Sequence, residues 1–247
     1  MTHRVSIKYF LAFLIGFSLI LLTAIPTATQ EGGVFLKVYE LKVSPKKSHL
    51  TRNLISCNVD NTNSENYGKI GTKLPASVTY RVNPSSAPSS VSSNLSTIVS
   101  NSFNTWDAVT NGVILTRGSN TSVNRARFDS QNVVAWGRLS RSTLGATYIW
   151  YRTSTGEVIE VDTIMNSRQP WSWTNPATVD EDQFCPSTSS YDAQNILVHE
   201  LGHWVGLDDL YDSEDEDLTM YGFGDKQELK KDTLDPGDIN GANAIYP

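Results

Sequence analysis

Two histidines four residues apart, with a glutamate between them, are the residues of this 247-residue chain whose types and spacing most clearly suggest chemistry. His199, Glu200 and His203 form the pattern H-E-x-x-H in a segment with helical periodicity. Side chains at positions i and i+4 share one face of a helix, so both imidazoles can bind one zinc ion at about 2.0–2.1 Å. Glu200 lies about 100° around the helix and can reach a water on that ion without being a ligand. The pattern therefore predicts hydrolysis by a zinc-activated water, with Glu200 as the general base.

A catalytic zinc site needs a third protein ligand and one open position. The other two of the 4 histidines lie in the N-terminal fifth of the chain, so a carboxylate is expected. The string HELGHWVGLDD (199–209) places Gly206 three residues after the second histidine and Asp209 three residues later. Since glycine tolerates a positive φ, Gly206 can end the helix and turn the chain back towards the ion. Asp209 is the predicted ligand, and Asp208 and Glu228 are the alternatives.

The elements that must position these residues alternate between strands and helices. Apolar residues at spacings of three and four predict one helix over 91–109. The active-site helix is predicted from Tyr191 to about Gly206, with a start resembling a capping box at Ser189 and Asp192. A last short helix begins at 235–236, where Asp-Pro opens it. The strand candidates are 34–43, 78–82, 113–116, 132–136, 146–152 and 157–165. This order predicts an α+β domain.

At the H-E-x-x-H segment the chain resembles the metzincin metalloproteases, most closely the matrixin-like group, whose motif is H-E-x-x-H-x-x-G-x-x-H followed by a Met-turn. Asp209 at the last position is similar to the variant of the snapalysin-type proteases. Leu-Thr-Met-Tyr at 218–221 resembles the Met-turn, in which Met220 would form an apolar floor under the ligands. The resemblance covers about 72–247 and is specific at 199–221.

The resemblance implies a metzincin-like zincin fold: a twisted, mixed and mostly parallel sheet with an active-site helix, a second long helix and a short C-terminal helix. It also implies that a protein or peptide substrate adds a strand to an antiparallel edge strand. That edge is predicted at 144–152, with Leu144, Gly145, Ala146 and Thr147 as its rim. Tyr221 would line the substrate pocket together with Phe223.

Several family features are missing from this sequence. No histidines remain for a second, structural zinc, so one zinc ion is predicted. The acidic run over 212–217 could bind calcium, although a solvated loop is the favoured interpretation. The matrixin latency motif around a cysteine is absent. Cys57 and Cys185 are predicted to form a disulfide, with free thiols or an inhibitory Cys57 ligand as alternatives.

The N-terminal 30 residues indicate export. Their uncharged apolar run over 10–25 predicts a cleaved signal peptide, or otherwise an N-terminal membrane anchor. Residues 31–71 are interpreted as a pro-segment or spacer, and 72–247 as the catalytic domain. The formal net charge of −6 argues against a nucleic-acid partner. The protein is therefore expected outside the cytoplasm, secreted or tethered, as a monomer that contacts a membrane only through an uncleaved N-terminal segment.

Together these observations predict an exported zinc endopeptidase. His199, His203 and Asp209 would bind the zinc, and Glu200 would activate the water and pass its proton to the leaving amine. The alternative is a secreted or tethered binding module without catalysis, in which zinc is structural or absent. Such a module requires neither Glu200 nor the turn at Gly206, so the full motif favours the enzyme.

Overall fold

The computed structural model describes residues 33–45, 64–176, 189–226 and 228–247. No helix among these residues is long and apolar enough to cross a bilayer. The strands are β1 (Val34–Val43), β2 (Gly68–Lys69), β3 (Ser77–Val82), β4 (Ile114–Arg117), β5 (Asn132–Gly137), β6 (Thr143–Arg152), β7 (Val158–Asn166), β8 (Trp171–Ser172), β9 (Tyr191–Asp192), β10 (Leu207–Asp208) and β11 (Phe223–Gly224). The α-helices are α1 (Ser89–Ser92), α2 (Leu95–Asp107), α3 (Ala193–Val205) and α4 (Pro236–Ile245).

Seven strands form the main sheet, in the order β11-β1-β6-β7-β5-β3-β4. Strands β4, β3, β5 and β7 are parallel, and β6 pairs antiparallel with β7. Two short pairs, β2 with β10 and β8 with β9, lie beside this sheet. The predicted α+β architecture with a mixed, mostly parallel sheet is therefore confirmed.

The core follows from the periodicity of each element. In β3, Val78, Tyr80 and Val82 are buried while the residues between them are at least partly exposed, as period-two alternation requires. Strand β7 is buried almost throughout, which fits a strand covered on both faces. The apolar face of α2 packs on α3, where the Trp106 indole donates to the Val198 carbonyl at 2.7 Å. These contacts hold the active-site helix against the sheet.

The structure corrects the start of two predicted helices. The helix predicted over 91–109 is divided into α1 and α2, because the chain turns at Asn94, which is the N-cap of α2. The active-site helix begins at Ala193 rather than at Tyr191. Its cap is Asp192, whose carboxylate accepts from the backbone amides two and three residues later at 2.9 and 3.1 Å. Tyr191 belongs to β9, so the strand pairing fixes where the helix can start.

The strand predicted over 34–43 is confirmed as β1, but its position in the sheet was not foreseen. It pairs antiparallel with β6 along nearly its whole length and parallel with β11 at its C-terminal end. Strand β6, predicted to be a free edge for substrate, therefore has a neighbour on both sides. Gly32–Pro247 form one compact unit. The expected boundary at residue 71 consequently does not mark where the main sheet begins.

Candidate metal centre

Three potential ligands converge below the main sheet at the C-terminal half of α3. His199 and His203 are fully buried, and their Nε2 atoms lie 3.2 and 3.5 Å from Oδ1 of Asp209. One ligand atom from each residue lies within 4.8 Å of the other two, and no other triple of His, Cys, Asp or Glu in the described part of the chain does this. None of these three atoms has a hydrogen-bond partner among the described residues. Buried polar atoms are rarely left in this way, so the group fits a cation ligated by two nitrogens and one oxygen.

A sharp turn after α3 brings the carboxylate back to the helix. Gly206 has a φ of 107°, and its amide bonds to the carbonyls of Gly202 and His203. A Cβ at Gly206 would lie less than 3.0 Å from the carbonyl oxygen of Thr72. Any other residue at this position would therefore have an unfavourable backbone conformation and would clash with Thr72. The chain continues as β10, which pairs with β2 and leads directly to Asp209. The predicted role of Gly206 in ending the helix is confirmed.

Backbone carbonyls orient both imidazoles. Nδ1 of His199 lies 2.7 Å from the carbonyl oxygen of Thr219, and Nδ1 of His203 lies 2.8 Å from that of Leu207. A carbonyl only accepts, so each Nδ1 carries the proton and each Nε2 presents its lone pair to the shared space. This arrangement of carbonyl, imidazole and ion is the usual environment of metal-binding histidines.

Glu200 lies beside the ligands without joining them. It is fully buried, and Thr147 of β6 donates to its Oε2 at 2.6 Å. A Cβ at Gly145 would lie less than 3.0 Å from the carboxylate, so the absence of a side chain there makes room for it. Burial raises the pKa of Glu200 to about 7, although nearby His203 and the Thr147 hydroxyl act in the opposite direction. A carboxyl with such a pKa can accept and release a proton near neutral pH.

The two histidines and Asp209 shift one another's pKa values, because they lie close together in a buried space. Burial alone would raise the pKa of Asp209, but His203 and His199 outweigh it and hold that pKa well below its usual range. Burial lowers the pKa of His199, whereas the Asp209 carboxylate overcomes burial at His203 and raises its pKa. Tyr211 donates to the second oxygen of Asp209 at 3.2 Å and so leaves Oδ1 directed at the histidines. The aspartate is thus ionised, as a metal ligand must be.

Met220, predicted to form an apolar floor under the ligands, packs against α3 at Gly202, the residue before His203. It is 2% exposed, and a Cβ at Gly202 would lie less than 3.0 Å from its sulfur. The backbone amides of Thr219 and Met220 donate to the Asp238 carboxylate at 3.1 and 3.3 Å. Asp238 lies in the first turn of α4, so the C-terminal helix fixes both this floor and the carbonyl that orients His199.

The alternative ligand Glu228 lies in a different environment. Its oxygens accept from the Asn195 side chain at 3.3 Å and the Asp225 amide at 3.0 Å, and they lie near the Lys231 ammonium at 3.5 Å. Asp208 is also turned away, since its carboxylate accepts from the next backbone amide at 2.9 Å. The geometry therefore favours Asp209 over both alternatives.

The acidic residues predicted as a possible calcium site make contacts with other parts of the described chain. Asp215 is buried and accepts from Ser64 and Asn66 at 3.0 and 2.9 Å, and Asp217 pairs with Lys230 at 3.2 Å. These acids thus hold the loop after β10, while calcium binding stays a prediction. Cys57 and Cys185 lie outside the described residues.

Leu144, Gly145 and Ala146 lie in β6, next to Glu200, and all three are buried. Tyr221 is half-buried against Phe223, with ring centroids 5.7 Å apart. Of the residues predicted for substrate binding, Gly145 lies against the Glu200 carboxylate, and the role of the set stays a prediction. This part of β6 is paired with β1, however, instead of facing an open cleft as a free edge would.

Sequence reasoning missed the roles of three residues that hold the site, although it placed one of them, Thr147, in the substrate rim. Thr147 holds Glu200, Tyr211 holds Asp209, and Tyr39 of β1 stacks on His203 with ring centroids 4.5 Å apart. Only Thr147 had a usable signal: it lies two residues after Gly145 and so shares its face of β6. Tyr39 and Tyr211 arrive through long-range pairing that no local pattern encodes.

Comparison with known proteins agrees with this geometry. The matrixin family model matches residues 72–247, well over half of the chain. A search of curated proteins with this chain found no match. Matrixins are zinc-dependent hydrolases that act on proteins or peptides, and the buried donor set at 199–209 is chemically suited to that metal. The chain therefore belongs to the matrixin family of zinc metalloendopeptidases.

Proposed function

We propose that this protein is an exported endopeptidase in which His199, His203 and Asp209 hold a single catalytic zinc ion and Glu200 transfers the protons. One observation carries this proposal. Two imidazole nitrogens and one carboxylate oxygen meet in a buried space without hydrogen-bond partners among the described residues, directly beside a buried glutamate. The third ligand then resembles that of the snapalysin-type proteases rather than the histidine common in the family.

The chemistry follows from what each side chain can do. When bound, zinc would supply a Lewis acid for the peptide carbonyl and would lower the pKa of a water molecule to about 7. Glu200 accepts a proton from the attacking water and delivers it to the leaving amine, for which its raised pKa is suited. Thr147 keeps Oε2 of Glu200 in place, and Met220 closes the site from below.

The remaining parts of the proposal concern the ends and the assembly of the chain. Export rests on the apolar run over 10–25, which lies outside the described residues, and the protein is secreted or tethered by that run. Residues 31–71 act as a pro-segment before the catalytic domain at 72–247. The enzyme works as a monomer on protein or peptide substrates.

Substitution of Glu200 tests the proposal. The E200Q variant keeps the shape of the side chain but cannot accept a proton, so it should bind one zinc per chain and lose about 10²–10⁴-fold in casein hydrolysis. E157Q is the matched control, because Glu157 is exposed and its backbone pairs with Lys73 rather than with a ligand residue. Wild type and E157Q should both be inhibited by a chelator and recover when zinc is restored. Full activity of E200Q, or hydrolysis by zinc-free protein, would overturn the proposal.

A further inference from the structure

Strand β1 lies outside the part of the chain that matches the family, yet it runs directly across the candidate active site. It is antiparallel to β6 on one side and parallel to β11 on the other. Its C-terminal end is held by backbone bonds from Lys42 to Gly222 at 3.2 Å, from Val43 to Ser142 at 2.9 Å and from Ser44 to Gly224 at 3.1 Å. Such pairing is how an extended peptide adds to a sheet, and it needs little from the side chains.

Leu41 is the one side chain of this strand that is fully buried, while Tyr39 and Val43 are partly buried against the core. Leu41 is fully buried and lies beside Gly224, close to Leu144 and Ile196 of the core. By contrast, the N-terminal half of the strand exposes large apolar side chains: Val34, Phe35, Leu36 and Val38 are 44–55% exposed. A strand built to complete a core would bury alternate residues along its length. The N-terminal half of this strand is instead held mainly by its backbone, and only its C-terminal half, from Tyr39 to Val43, packs side chains against the core, as a bound peptide can.

The register places one peptide bond at the proposed chemistry. Leu41 lies opposite Gly145, and Gly145 is in contact distance of the Glu200 carboxylate. Two residues earlier, Tyr39 stacks on His203. The Leu41 backbone amide also donates to the Glu200 carboxylate, so the Glu40–Leu41 bond lies beside the proposed base. A cavity of about 470 Å³ that includes Tyr39, Glu40 and Asp209 among its lining residues opens at this point.

We propose that β1 is an internal substrate, bound in the cleft in the direction of a peptide to be cut, and that the enzyme cleaves its own Glu40–Leu41 bond. The inference rests on the proposed function and assigns the pocket around Leu41 as the one that receives the residue after the cut. Until the bond is cut, β1 excludes other peptides from β6.

The reaction is hydrolysis and consumes one water. The water oxygen bonds to the Glu40 carbonyl carbon as the bond to the Leu41 nitrogen breaks. Glu200 takes one proton from the water and passes it to the departing nitrogen. The products are a chain that ends in the carboxylate of Glu40 and a chain that begins with the free amine of Leu41. No oxidant or further reactant is required.

Mass spectrometry of the full-length chain tests the cut. Zinc added to metal-free wild type should yield a fragment that begins at Leu41, at a rate independent of protein concentration because the strand and site belong to one molecule. E200Q treated in the same way should remain intact. A chain that hydrolyses casein but never acquires an N-terminus at Leu41 would overturn the inference and leave the proposed function standing, whereas failure of both reactions would overturn the proposed function.

A second variant tests the occupancy without relying on the cut. L41D should release the strand, so that backbone amides of β6 exchange faster with deuterium in the metal-free protein. If β1 covers the cleft in all but about a tenth of the uncut molecules, the initial rate of external peptide hydrolysis, measured before wild type has cut itself, should be about tenfold higher in L41D. L36D is the matched control, since Leu36 is 49% exposed on the same strand, and it should change neither property. A loss of external hydrolysis in L41D, with unchanged exchange in β6, would show that β1 has a structural role only and would overturn the inference.

Discussion

Gly206→Ala perturbs the turn that carries the third ligand to the histidines. An alanine at a φ of 107° costs about 1–3 kcal/mol of backbone strain. Its Cβ would also lie less than 3.0 Å from the Thr72 carbonyl oxygen, which adds about 1–3 kcal/mol of overpacking. The two contributions sum to about 2–6 kcal/mol, a large share of the stability of an ordinary domain. Gly112→Ala is the matched control, because Gly112 has a φ of 75° but nothing within 4 Å of its Cβ.

Urea unfolding of the metal-free proteins measures the first effect, and competition with a chromogenic chelator measures zinc affinity. G206A should lose stability as calculated and should also bind zinc at least about tenfold more weakly, because a displaced turn moves Asp209 and costs about 1.4 kcal/mol or more of binding. G112A should lose only about 1 kcal/mol of stability and keep its zinc affinity. Equal behaviour of the two variants would refute the argument that the close approach at Gly206 positions the ligand.

Three further predictions concern other parts of the site and sheet. Thr147→Val removes the donor to Glu200 and should lower kcat/KM about 10–100-fold while zinc affinity is kept. Gly202→Ala pushes Met220 and should destabilise the metal-free protein by about 1–3 kcal/mol in urea unfolding. Burial raises the pKa of Asp162 to about 8. The folded state then holds more protons than the unfolded state between pH 4 and 8, so stability falls as pH rises there, by up to about 1.4 kcal/mol per pH unit, and Asp162→Asn should flatten that slope.

Each of these predictions has an outcome that would contradict it. Unchanged kcat/KM in T147V would mean that the hydroxyl does not position Glu200. Thr79→Val controls for the loss of a strand hydroxyl, because Thr79 of β3 is exposed. A G202A variant as stable as wild type would show that Met220 can move aside without a cost in stability. A pH slope in D162N equal to that of wild type would assign the slope to other buried acids.

The local parts of the site could be predicted from the sequence because they depend on helix geometry and on one glycine. A spacing of four residues places His199 and His203 on one face, and Gly206 can turn the chain where other residues cannot. Asp209 could then be predicted as the third ligand, because it lies three residues after that turn. These features need no information from elsewhere in the chain.

The rest depends on contacts between distant segments. Strand β1 pairs with β6, which lies more than a hundred residues later in the sequence. The alternating pattern of β1 is compatible with this pairing and with a separate spacer, so the pattern alone does not identify the partner strand. The same holds for Tyr39 on His203. The division of the helix predicted over 91–109 was missed for a different reason: the serines before Asn94 are weak helix formers that compete as caps, and apolar spacing does not register this.

Zinc coordination in D209A is the measurement that tests the central claim most directly. X-ray absorption on wild type should show one zinc bound by two imidazole nitrogens and at least one carboxylate oxygen at about 2.0–2.2 Å. D209A should lose the carboxylate contribution and most of its zinc affinity, while E228A should keep both. Retention of wild-type coordination and affinity in D209A, or their loss in E228A, would contradict the account.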